Sequence, residues 1–362
     1  MNILIRADAS DTLGSGHVMR CLTLADAIAA HAAVLAVRVS ISFICRSSRG
    51  HLQQLIRQRG YQIIAIEECV DQRQDAAACL AAIDQDYDCL IVDHYQLGAE
   101  FEAALRSRCH TVMVIDDLAN RPHLADILLD QNLLPDASQR YHSLVSAECV
   151  LLLGPKYTLL RAEFDSVNRR ASADCERLLV FLGGSDPDNH TDKVLAAIAR
   201  LATPMPVDVV LGQHNPWNQQ LLERYGHHPW LTVHIQCDYM AKLMSAARLS
   251  IGAGGSSHWE RCACALPAIV MTIAANQEAT TAYLAELGAC INMGDAAAVS
   301  AAALVDALAA LWDDLPRLEA ISAQASELIP AKGSALVASQ LVEFITQGRV
   351  FAPDIEVGER YV

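Results

Sequence analysis

Short runs of Val, Ile and Leu alternate with longer Ala- and Leu-rich stretches along the first half of the chain. Runs that are apolar throughout, without alternating polar positions, are typical of strands buried on both faces of a parallel sheet. The longer stretches have the length and spacing of helices. The pattern therefore predicts a helix-covered parallel sheet, with strands at residues 3–5, 37–45, 63–66, 89–92 and 112–115 and helices at 17–30, 50–59, 75–83 and 99–108.

The same rhythm restarts after a polar segment at residues 161–176, which includes Asn168 and Arg169 and which we interpret as an inter-domain connection. Beyond it the pattern predicts strands at residues 178–182, 207–211, 231–235, 249–251 and 268–272, and Ala-rich helices after Gly294. We therefore expect an α/β protein with two Rossmann-like domains, residues 1–165 and 175–345, and a surface tail at residues 346–362. Ligands of such sheets bind beyond the carboxyl ends of the strands, which predicts a functional cleft between the domains.

Composition narrows the class of protein. A length of 362 residues agrees with two domains, and the net charge of −15 argues against nucleic acid as a partner. Neither a basic region followed by an apolar region at the start of the chain nor a run of 18 apolar residues is visible, so we expect a cytoplasmic protein without a transmembrane helix. The 12 cysteines are scattered, which favours buried thiols in a reducing compartment.

A glycine-containing loop, Gly14-Ser15-Gly16, follows the first predicted strand and leads into His17. The glycines permit positive φ and close approach of a ligand to the backbone. The loop lacks the third glycine of a dinucleotide fingerprint and the Gly-Lys-Ser/Thr end of a P-loop. A histidine at this helix start can stay neutral and act as a general base, although a plain strand–helix turn with a surface histidine remains the alternative.

Acidic residues follow three predicted strands: Asp8 after the first, Asp93 (with His94 and Tyr95) after the fourth, and Asp116-Asp117 after the fifth. Carboxylates at these strand ends can orient a sugar hydroxyl, bind a metal or orient a histidine. Helix capping is the safer interpretation of any one of them, but three such clusters are less easily explained by capping alone.

A basic and aromatic group, Lys156, Tyr157 and Arg161, precedes the polar connection. It can hold a phosphate or stack on a ring, or it can be a solvated hinge.

Two further glycine-rich turns lie in the second half of the chain. Gly183-Gly184-Ser185 follows one predicted strand, and Gly254-Gly255-Ser256-Ser257 follows another and opens a helix. The second turn is suited to a diphosphate, because its amides are free and no Cβ obstructs them. Downstream, Asn276-Gln277-Glu278 places a carboxylate where it can accept hydrogen bonds from ribose hydroxyls, although Glu278 also suits a helix start.

Metal-dependent and serine-hydrolase chemistry receive no support from sequence motifs. The chain has no His-Glu-x-x-His, no repeated Cys-x-x-Cys and no Gly-x-Ser-x-Gly at the Gly254 turn. We therefore expect neither a metal nor another cofactor.

Taken together, these motifs resemble one family over nearly the whole chain to about residue 345. The chain is similar to the UDP-2,4-diacetamido-2,4,6-trideoxy-β-L-altropyranose hydrolases of bacterial pseudaminic acid biosynthesis. The likeness lies in residues 6–10, 14–21, 93–95, 115–118, 129–132, 153–157, 183–187, 254–256, 259–262 and 276–277.

The resemblance implies a GT-B fold and a specific reaction. Water would attack the anomeric carbon with inversion, without a metal, releasing UDP and the free diacetamido-trideoxy sugar. His17 would be the base. Substrate contacts would come from Asp8, Gly14, Ser15, Gly16, Arg20, Asp93, Tyr95, Asp117, Lys156, Tyr157, Arg161, Gly183, Gly184, Ser185, Gly254, Gly255, Ser256, Ser257, Glu260, Asn276, Gln277 and Glu278.

The expected partner is a small-molecule UDP-sugar, with no nucleic acid and no membrane, and the protein is expected to be a monomer. Two alternatives stay open from the sequence. One is a GT-B glycosyltransferase that uses a UDP-amino sugar donor. The other is a UDP-sugar-binding module without turnover.

Overall fold

The computed structural model describes residues 1–167, 170–329 and 332–347. The chain divides into two compact units. Unit 1 comprises Met1–Leu160 together with the chain from Lys332 onward, and unit 2 begins at Arg161 and ends before Lys332.

Within the described part of unit 1, seven strands form one parallel sheet in the order β3-β2-β1-β4-β5-β6-β7. The strands are β1 (Asn2–Ala7), β2 (Ser40–Arg46), β3 (Gln62–Ile66), β4 (Tyr87–Asp93), β5 (Cys109–Ile115), β6 (Ile127–Asp130) and β7 (Val150–Leu153). The helices are α1 (Gly16–Val34), α2 (Gln53–Gln58), α3 (Gln72–Ala82), α4 (Ala99–Leu105), α5 (Ala137–Arg140) and α13 (Gly333–Gln347), with a 3-10 turn at Pro155–Tyr157. The central strands β1 and β4 are buried on both faces, as their continuous apolar sequence requires.

Unit 2 contains a second parallel sheet, of six strands in its described residues, in the order β10-β9-β8-β11-β12-β13. The strands are β8 (Arg177–Phe181), β9 (Val207–Leu211), β10 (Leu231–Ile235), β11 (Ala247–Ala253), β12 (Ala268–Thr272) and β13 (Ile291–Asp295). The helices are α6 (His190–Ile198), α7 (Asn218–Tyr225), α8 (Met240–Ala246), α9 (Ser257–Ala263), α10 (Glu278–Glu286), α11 (Ala301–Leu311) and α12 (Leu315–Leu328), with 3-10 turns at Ala162–Phe164, Ser172–Asp174 and Ala275–Gln277.

The two helix-covered parallel sheets predicted from the apolar runs are confirmed, but three strands were missed. These are β6, β7 and β13; β7 and β13 are edge strands of their sheets, and β6 lies next to β7. Strands β6 and β7 have only four residues each, and β13 carries Asn292, Gly294 and Asp295. Such short or polar segments give no apolar run long enough to be distinguished from a loop.

The expected C-terminal boundary was wrong. We expected residues 175–345 to form one domain, but α13 returns to unit 1, where Val337, Leu341 and Val342 join the core that also contains Val18 and Leu22 of α1. The entry into α13 is tightly fitted, since the Ser334 hydroxyl donates to the Leu160 carbonyl over 2.7 Å. An apolar helix gives no sequence signal for which of two sheets it covers. Of the expected tail, residues 346–347 end α13 and residues 348–362 lie outside the described residues.

The polar connection at residues 161–176 is assigned to unit 2. Its two 3-10 turns give it local structure, and the Ser172 amide donates to Glu319 over 2.7 Å. Asn168 and Arg169 lie outside the described residues.

One stretch among the described residues, Leu315–Gln347, is long and apolar enough to cross a membrane by length and composition. It includes α12 and α13, and half of its most apolar 18-residue segment is buried inside the protein. Leu318 and Ile321 of α12 belong to the core of unit 2, and Leu341 of α13 belongs to the core of unit 1. This placement is typical of core helices.

The assignment of α13 to unit 1 predicts the effect of a cavity in that helix. Leu341 is fully buried, so Leu341→Ala is expected to lower the free energy of unfolding by about 2–5 kcal/mol. Hydrogen exchange should then increase in α1 and not in β8 or β11. Leu336→Ala is the matched control on the same helix, because Leu336 is 37% exposed, and it should change stability by less than about 0.5 kcal/mol. Loss of protection confined to unit 2 would contradict the assignment.

Candidate active site

His17 lies in the first turn of α1, where the loop after β1 delivers it. The backbone of this loop closes on itself, since the Gly14 amide donates to the Ser10 carbonyl over 2.9 Å. Gly14 has a φ of 78°, a conformation that residues with a Cβ rarely adopt. The chain then enters α1 at Gly16, and His17 is 4% exposed. The loop thus places a nearly buried histidine, not the surface histidine of the alternative interpretation.

Asp93 orients His17. Asp93 ends β4, is fully buried, and its Oδ1 lies 2.6 Å from His17 Nδ1. Burial alone would raise the pKa of Asp93, but the charges and hydrogen bonds of Arg20 and His17 hold it well below its usual value. An ionised carboxylate only accepts, so His17 Nδ1 carries a proton, and the neutral tautomer with this contact has its lone pair on Nε2. The imidazole ring also contacts the Tyr95 ring edge-on, with centroids 4.4 Å apart.

Arg20 lies one turn further along α1 and binds the same carboxylate. Its Nε and Nη2 donate to the two oxygens of Asp93 over 2.5 and 2.6 Å, and its Nη1 donates to Asp117 Oδ2 over 3.2 Å. Arg20 Nη2 is also 3.3 Å from His17 Nδ1. We expected Arg20, Asp93 and Asp117 to contact substrate. In the structure Arg20 and Asp93 contact each other and His17, and Asp117 contacts Arg20 through Oδ2.

Asp8 has a similar internal role at the ends of β1, β2 and β4. Its carboxylate accepts from Arg6 Nη2 over 2.8 Å and from the Arg46 amide over 2.7 Å, and it lies 3.3 Å from His94 Nε2. Burial alone would raise the pKa of Asp8, but these donors hold it well below its usual value. Asp8 therefore ties together three neighbouring strand ends, and its oxygens are occupied before any substrate arrives.

A second carboxylate, Asp75 of α3, completes this network. Arg6 donates to both oxygens of Asp75 over 2.9 and 2.7 Å, and Arg46 Nη2 donates to Oδ2 over 2.8 Å. Burial would raise the pKa of Asp75, but Arg6 and Arg46 lower it below its usual value. Because the Gln96 amide donates to Nδ1 of His94, that histidine carries its proton on Nε2 and donates to Asp8. Burial and the nearby arginines lower the pKa of His94, so it is neutral.

A cavity of about 640 Å³ opens above this network within unit 1. Its walls combine the buried Asp8, Arg46 and His94 with the hydroxyl groups of Ser10 and Thr12. Tyr95, which contacts His17, also lines it. A cavity of this size, with charged and hydroxyl-bearing side chains and Tyr95 in its lining, is a candidate site for a small, hydroxyl-rich ligand.

The second glycine-rich turn lies at the end of β11, in the middle of the sheet of unit 2. A Cβ on Gly254 would lie 2.8 Å from Gln277 Cβ and 2.9 Å from Thr281 Oγ1, so only glycine fits at this position. Gly255 has a φ of 81°, and Ser256 is exposed. Gln277 supports the turn, since its Oε1 accepts from the Ile273 amide over 3.0 Å.

A buried arginine lies beneath this turn. Arg261 is 3% exposed, its Nη2 donates to the Ala253 carbonyl over 2.8 Å, and its Nη1 lies 3.3 Å from Ser257 Oγ. Nη2 also lies 3.1 Å from Nδ1 of His258, whose pKa burial and Arg261 lower well below its usual value. Burial lowers the pKa of Arg261 as well, and no carboxylate in the described residues forms an ion pair with it. The turn therefore carries a positive charge that its own side chains do not neutralise.

Ser257 was expected to contact the phosphates, but its hydroxyl is turned inward. It lies 3.2 Å from the Ala253 carbonyl and is 7% exposed. Its contacts hold the helix start to the end of β11.

The remaining predicted residues of unit 2 separate into two groups. Arg161 Nη2 donates to Glu260 Oε1 over 2.9 Å, and its Nη1 lies 2.8 Å from Glu163, so Arg161 and Glu260 form one ion-pair cluster. Asn276 and Gln277 lie between β12 and α10, Glu278 is the first residue of α10, and Gly183, Gly184 and Ser185 follow β8. Strands β8, β11 and β12 are neighbours, which brings their ends to one edge of the sheet.

Lys156 and Tyr157 lie in unit 1. Tyr157 is 3% exposed and belongs to the hydrophobic core, which contradicts the expectation that its ring stacks on a ligand. Lys156 Nζ lies 4.9 Å from the centre of the same ring.

Sequence patterns missed Arg6, Arg46, Asp75 and Arg261 as site residues. Asp75 lies 69 positions from Arg6, and no local spacing connects them. Arg261 had a usable signal, because an arginine four residues after Ser257 on a helix must lie beneath the same turn. Within residues 1–167, 170–329 and 332–347, no group of three or more His, Cys, Asp or Glu side chains is arranged to hold a metal. The twelve cysteines are free thiols, ten of them buried.

The chain matches no protein-family model, but it is similar to three curated proteins. It is 24% identical over 80% of its length to the UDP-2,4-diacetamido-2,4,6-trideoxy-β-L-altropyranose hydrolase of Campylobacter jejuni, covering 97% of that protein. It is 24% identical over 96% of its length to the spore coat polysaccharide biosynthesis protein SpsG of Bacillus subtilis, covering 99% of it. It is 26% identical over 75% of its length to an uncharacterized protein of Methanocaldococcus jannaschii, and spans about half, 55%, of that relative. The resemblance drawn from the motifs is thereby confirmed.

Solved structures agree on the fold. Acinetobacter baumannii MurG is similar with a TM-score of 0.62 at 15% identity, over 94% of this chain and 99% of MurG. The calicheamicin glycosyltransferase CalG4 has a TM-score of 0.63 at 15% identity, over 97% of this chain and 99% of its own. Anabaena HepE in complex with UDP and glucose has a TM-score of 0.57 at 14% identity, over 94% of this chain and 98% of its own. The GT-B fold class expected from the resemblance is confirmed.

The Arg6–Asp8–Asp75–Arg46 network predicts a stability effect with a definite pH dependence. Asp75→Ala leaves two buried arginines short of one carboxylate and should lower the free energy of unfolding at pH 7 by about 3–5 kcal/mol. Because the folded-state pKa of Asp75 is lowered, its contribution is present above the unfolded-state pKa of about 3.9 and is lost as the pH falls through the folded-state pKa. The difference from wild type should therefore shrink below about pH 4 in urea titrations.

Asp71→Ala is the matched control for Asp75→Ala. Asp71 caps the same helix by accepting from the Arg73 and Gln74 amides, and its loss should cost about 1 kcal/mol. A cost for Asp75→Ala no larger than this, or one that persists unchanged at acid pH, would show that the network is not a stabilising element.

Proposed function

We propose that the protein is a UDP-sugar hydrolase that cleaves UDP-2,4-diacetamido-2,4,6-trideoxy-β-L-altropyranose to UDP and the free sugar. The observation that supports this most is the contact of His17 with the buried, ionised carboxylate of Asp93. That contact leaves the lone pair on Nε2, which is the form of imidazole that accepts a proton from water. The sequence likeness to the Campylobacter jejuni hydrolase supports the choice of substrate.

In the proposed reaction, His17 Nε2 takes a proton from a water molecule as the water oxygen attacks the anomeric carbon. The new C–O bond forms opposite the breaking bond to the β-phosphate oxygen, so the anomeric centre inverts. The imidazolium that results is stabilised by Asp93, and the proton then passes to solvent. UDP leaves with the bonding electron pair, and no metal or other cofactor is required.

UDP binding is assigned to unit 2. The Gly254-Gly255-Ser256 turn offers backbone amides without an obstructing Cβ, and the buried Arg261 gives the turn a positive charge. Both features suit a diphosphate and stabilise the negative charge that develops on it as the glycosidic bond breaks. Once its negative charge is stabilised in this way, UDP can leave without being protonated, so a separate general acid is not needed.

Glycosyl transfer is the alternative function, because the similar solved structures include glycosyltransferases such as CalG4. The same donor site and the same base would serve it, with an alcohol in place of water. The two functions differ in one requirement, which is that a transferase releases UDP only when an acceptor is supplied.

The deciding experiment incubates the pure protein with UDP-2,4-diacetamido-2,4,6-trideoxy-β-L-altropyranose alone, in buffer that contains EDTA. NMR follows the release of UDP and the configuration of the first sugar anomer formed. Prompt UDP release with an inverted anomer supports the hydrolase. No release until an alcohol acceptor is added supports the transferase, and binding without release under both conditions rules out both enzymes.

The assignment of His17 as base predicts a specific kinetic defect. His17→Asn keeps a donor towards Asp93 but removes the proton-accepting nitrogen, so kcat should fall by about 10²-fold or more. The dissociation constant for UDP should be unchanged in calorimetry. His234→Asn is the matched control, since His234 also contacts a carboxylate, Asp208, over 2.8 Å, but lies in unit 2 on β10. Near-normal turnover in His17→Asn would refute the assignment.

The assignment of the diphosphate turn predicts a defect in binding. Gly254→Ala introduces a Cβ that collides with Gln277 and Thr281, so the turn must shift. A strain of about 1–3 kcal/mol placed on the turn should weaken UDP binding by about tenfold. Gly226→Ala is a matched control in unit 2, because its Cβ would lie 2.5 Å from the Leu222 carbonyl at the end of α7. Equal UDP affinities in the two variants would argue against the turn as the UDP site.

A further inference from the structure

We propose that Arg20 is a positioning residue that keeps His17 in its neutral, proton-accepting form, and that it is not a substrate ligand. The inference rests on the proposed function only in taking His17 as the base. In this role Arg20 shifts the equilibrium between protonated and neutral His17.

The geometry leaves little of the guanidinium for a ligand. Arg20 uses Nε and Nη2 for the two oxygens of Asp93, at 2.5 and 2.6 Å, and Nη1 for Asp117 at 3.2 Å. Its side chain is 10% exposed, whereas that of Asp93 is fully buried. A guanidinium held on three sides by its own protein is fixed in place before substrate binds.

Without a counter-charge, the histidine–aspartate pair would favour the protonated imidazole. A buried carboxylate 2.6 Å from an imidazole stabilises the imidazolium, so a smaller fraction of the rings would be free to take a proton from water. Arg20 opposes this effect in two ways. It neutralises Asp93 through two hydrogen bonds, and it places a positive charge 3.3 Å from His17 Nδ1, where a protonated ring would be repelled.

Two charged groups contact His17, and a third reaches it through Arg20. Asp93, at the end of β4, and Arg20, on α1, lie 2.6 and 3.3 Å from His17 Nδ1, and Asp117, after β5, contacts Arg20. The Tyr95 ring contacts the imidazole edge-on. The Cys21 thiol lies 3.6 Å from Asp93 Oδ2, and burial raises its pKa well above the usual value, so it is uncharged. Arg20 is therefore a cation that offsets Asp93, which contacts His17, and Asp117, which Arg20 itself contacts.

Unit 2 contains a comparable arrangement that serves as an internal control. Arg177 Nε and Nη2 donate to Asp208 over 2.5 and 2.8 Å, and His234 Nε2 lies 2.8 Å from the same carboxylate. The Arg177 side chain is 35% exposed, however, and solvent screens its charge. The same chemistry is thus present within unit 2 on β8, β9 and β10, whereas the diphosphate turn follows β11.

The test is an NMR titration of the full-length protein labelled at histidine. In Arg20→Met, the pH at which His17 is half protonated should rise by about one unit or more relative to wild type, because two carboxylates are left uncompensated. In Arg20→Lys, which keeps the charge, the rise should be smaller. Arg177→Met should leave the His17 titration unchanged.

A catalytic readout separates positioning from substrate binding. In Arg20→Met, the acidic limb of the pH profile of kcat/KM for UDP release should move to higher pH by the same amount as the NMR titration, and KM above that limb should stay close to wild type. A large rise in KM with an unmoved pH profile would overturn the proposal and identify Arg20 as a substrate ligand. An unshifted His17 titration in folded Arg20→Met would also overturn it.

Asp117→Asn provides a second test that leaves Arg20 in place and does not depend on Arg20→Met folding. Removing one carboxylate strengthens the influence of Arg20, so half protonation of His17 should move to lower pH. An upward shift or no shift in this variant would contradict the proposal. Because these titrations need no substrate, absence of UDP release in wild type would refute the proposed function and leave the role of Arg20 to be decided by NMR.

Discussion

The carboxylate of Asp93 is fully buried at the end of β4, and its charge must be met by neighbours within the protein. The parallel pairing of β1 with β4 places Asp93 opposite Ala7, next to the loop that leads into α1. The first turns of α1 supply the partners, since both His17 and Arg20 donate to this carboxylate. The positions of His17 and Arg20 at the start of α1 and the proton on His17 Nδ1 thus serve to pair this one buried charge.

The strand ends of the two units differ in how they balance charge. In unit 1 the buried Asp8, Asp75 and Asp93 accept short hydrogen bonds from arginine guanidinium groups. In unit 2 the buried Arg261 has a carbonyl, a hydroxyl and an imidazole as partners, and no carboxylate of the described residues forms an ion pair with it. The first arrangement suits a neutral polar ligand and proton transfer, and the second suits an anion. This difference supports the assignment of water activation to unit 1 and UDP binding to unit 2.

Apolar runs predicted both sheets, and glycine-containing turns predicted where the candidate sites lie, because both signals are local in sequence. The pairing of charged side chains with one another was not predictable in the same way. The sequence suggests that Asp8 and Arg20 bind substrate, but the structure pairs Asp8 with Arg6 and Arg46, and Arg20 with Asp93, 73 positions away. Helix α13 was placed in the wrong unit for a related reason, since its buried face fits either sheet by composition and only the contacts with α1 decide.

In the proposed reaction, water attacks the anomeric carbon and UDP departs with the oxygen that joined it to the sugar. Turnover of the UDP-diacetamido sugar in H₂¹⁸O distinguishes this attack from attack at phosphorus, with mass spectrometry and ³¹P NMR of the products. We expect UDP without ¹⁸O and sugar that carries the label at its anomeric hydroxyl. Label in the β-phosphate would show that water attacks phosphorus, and would contradict the proposed reaction.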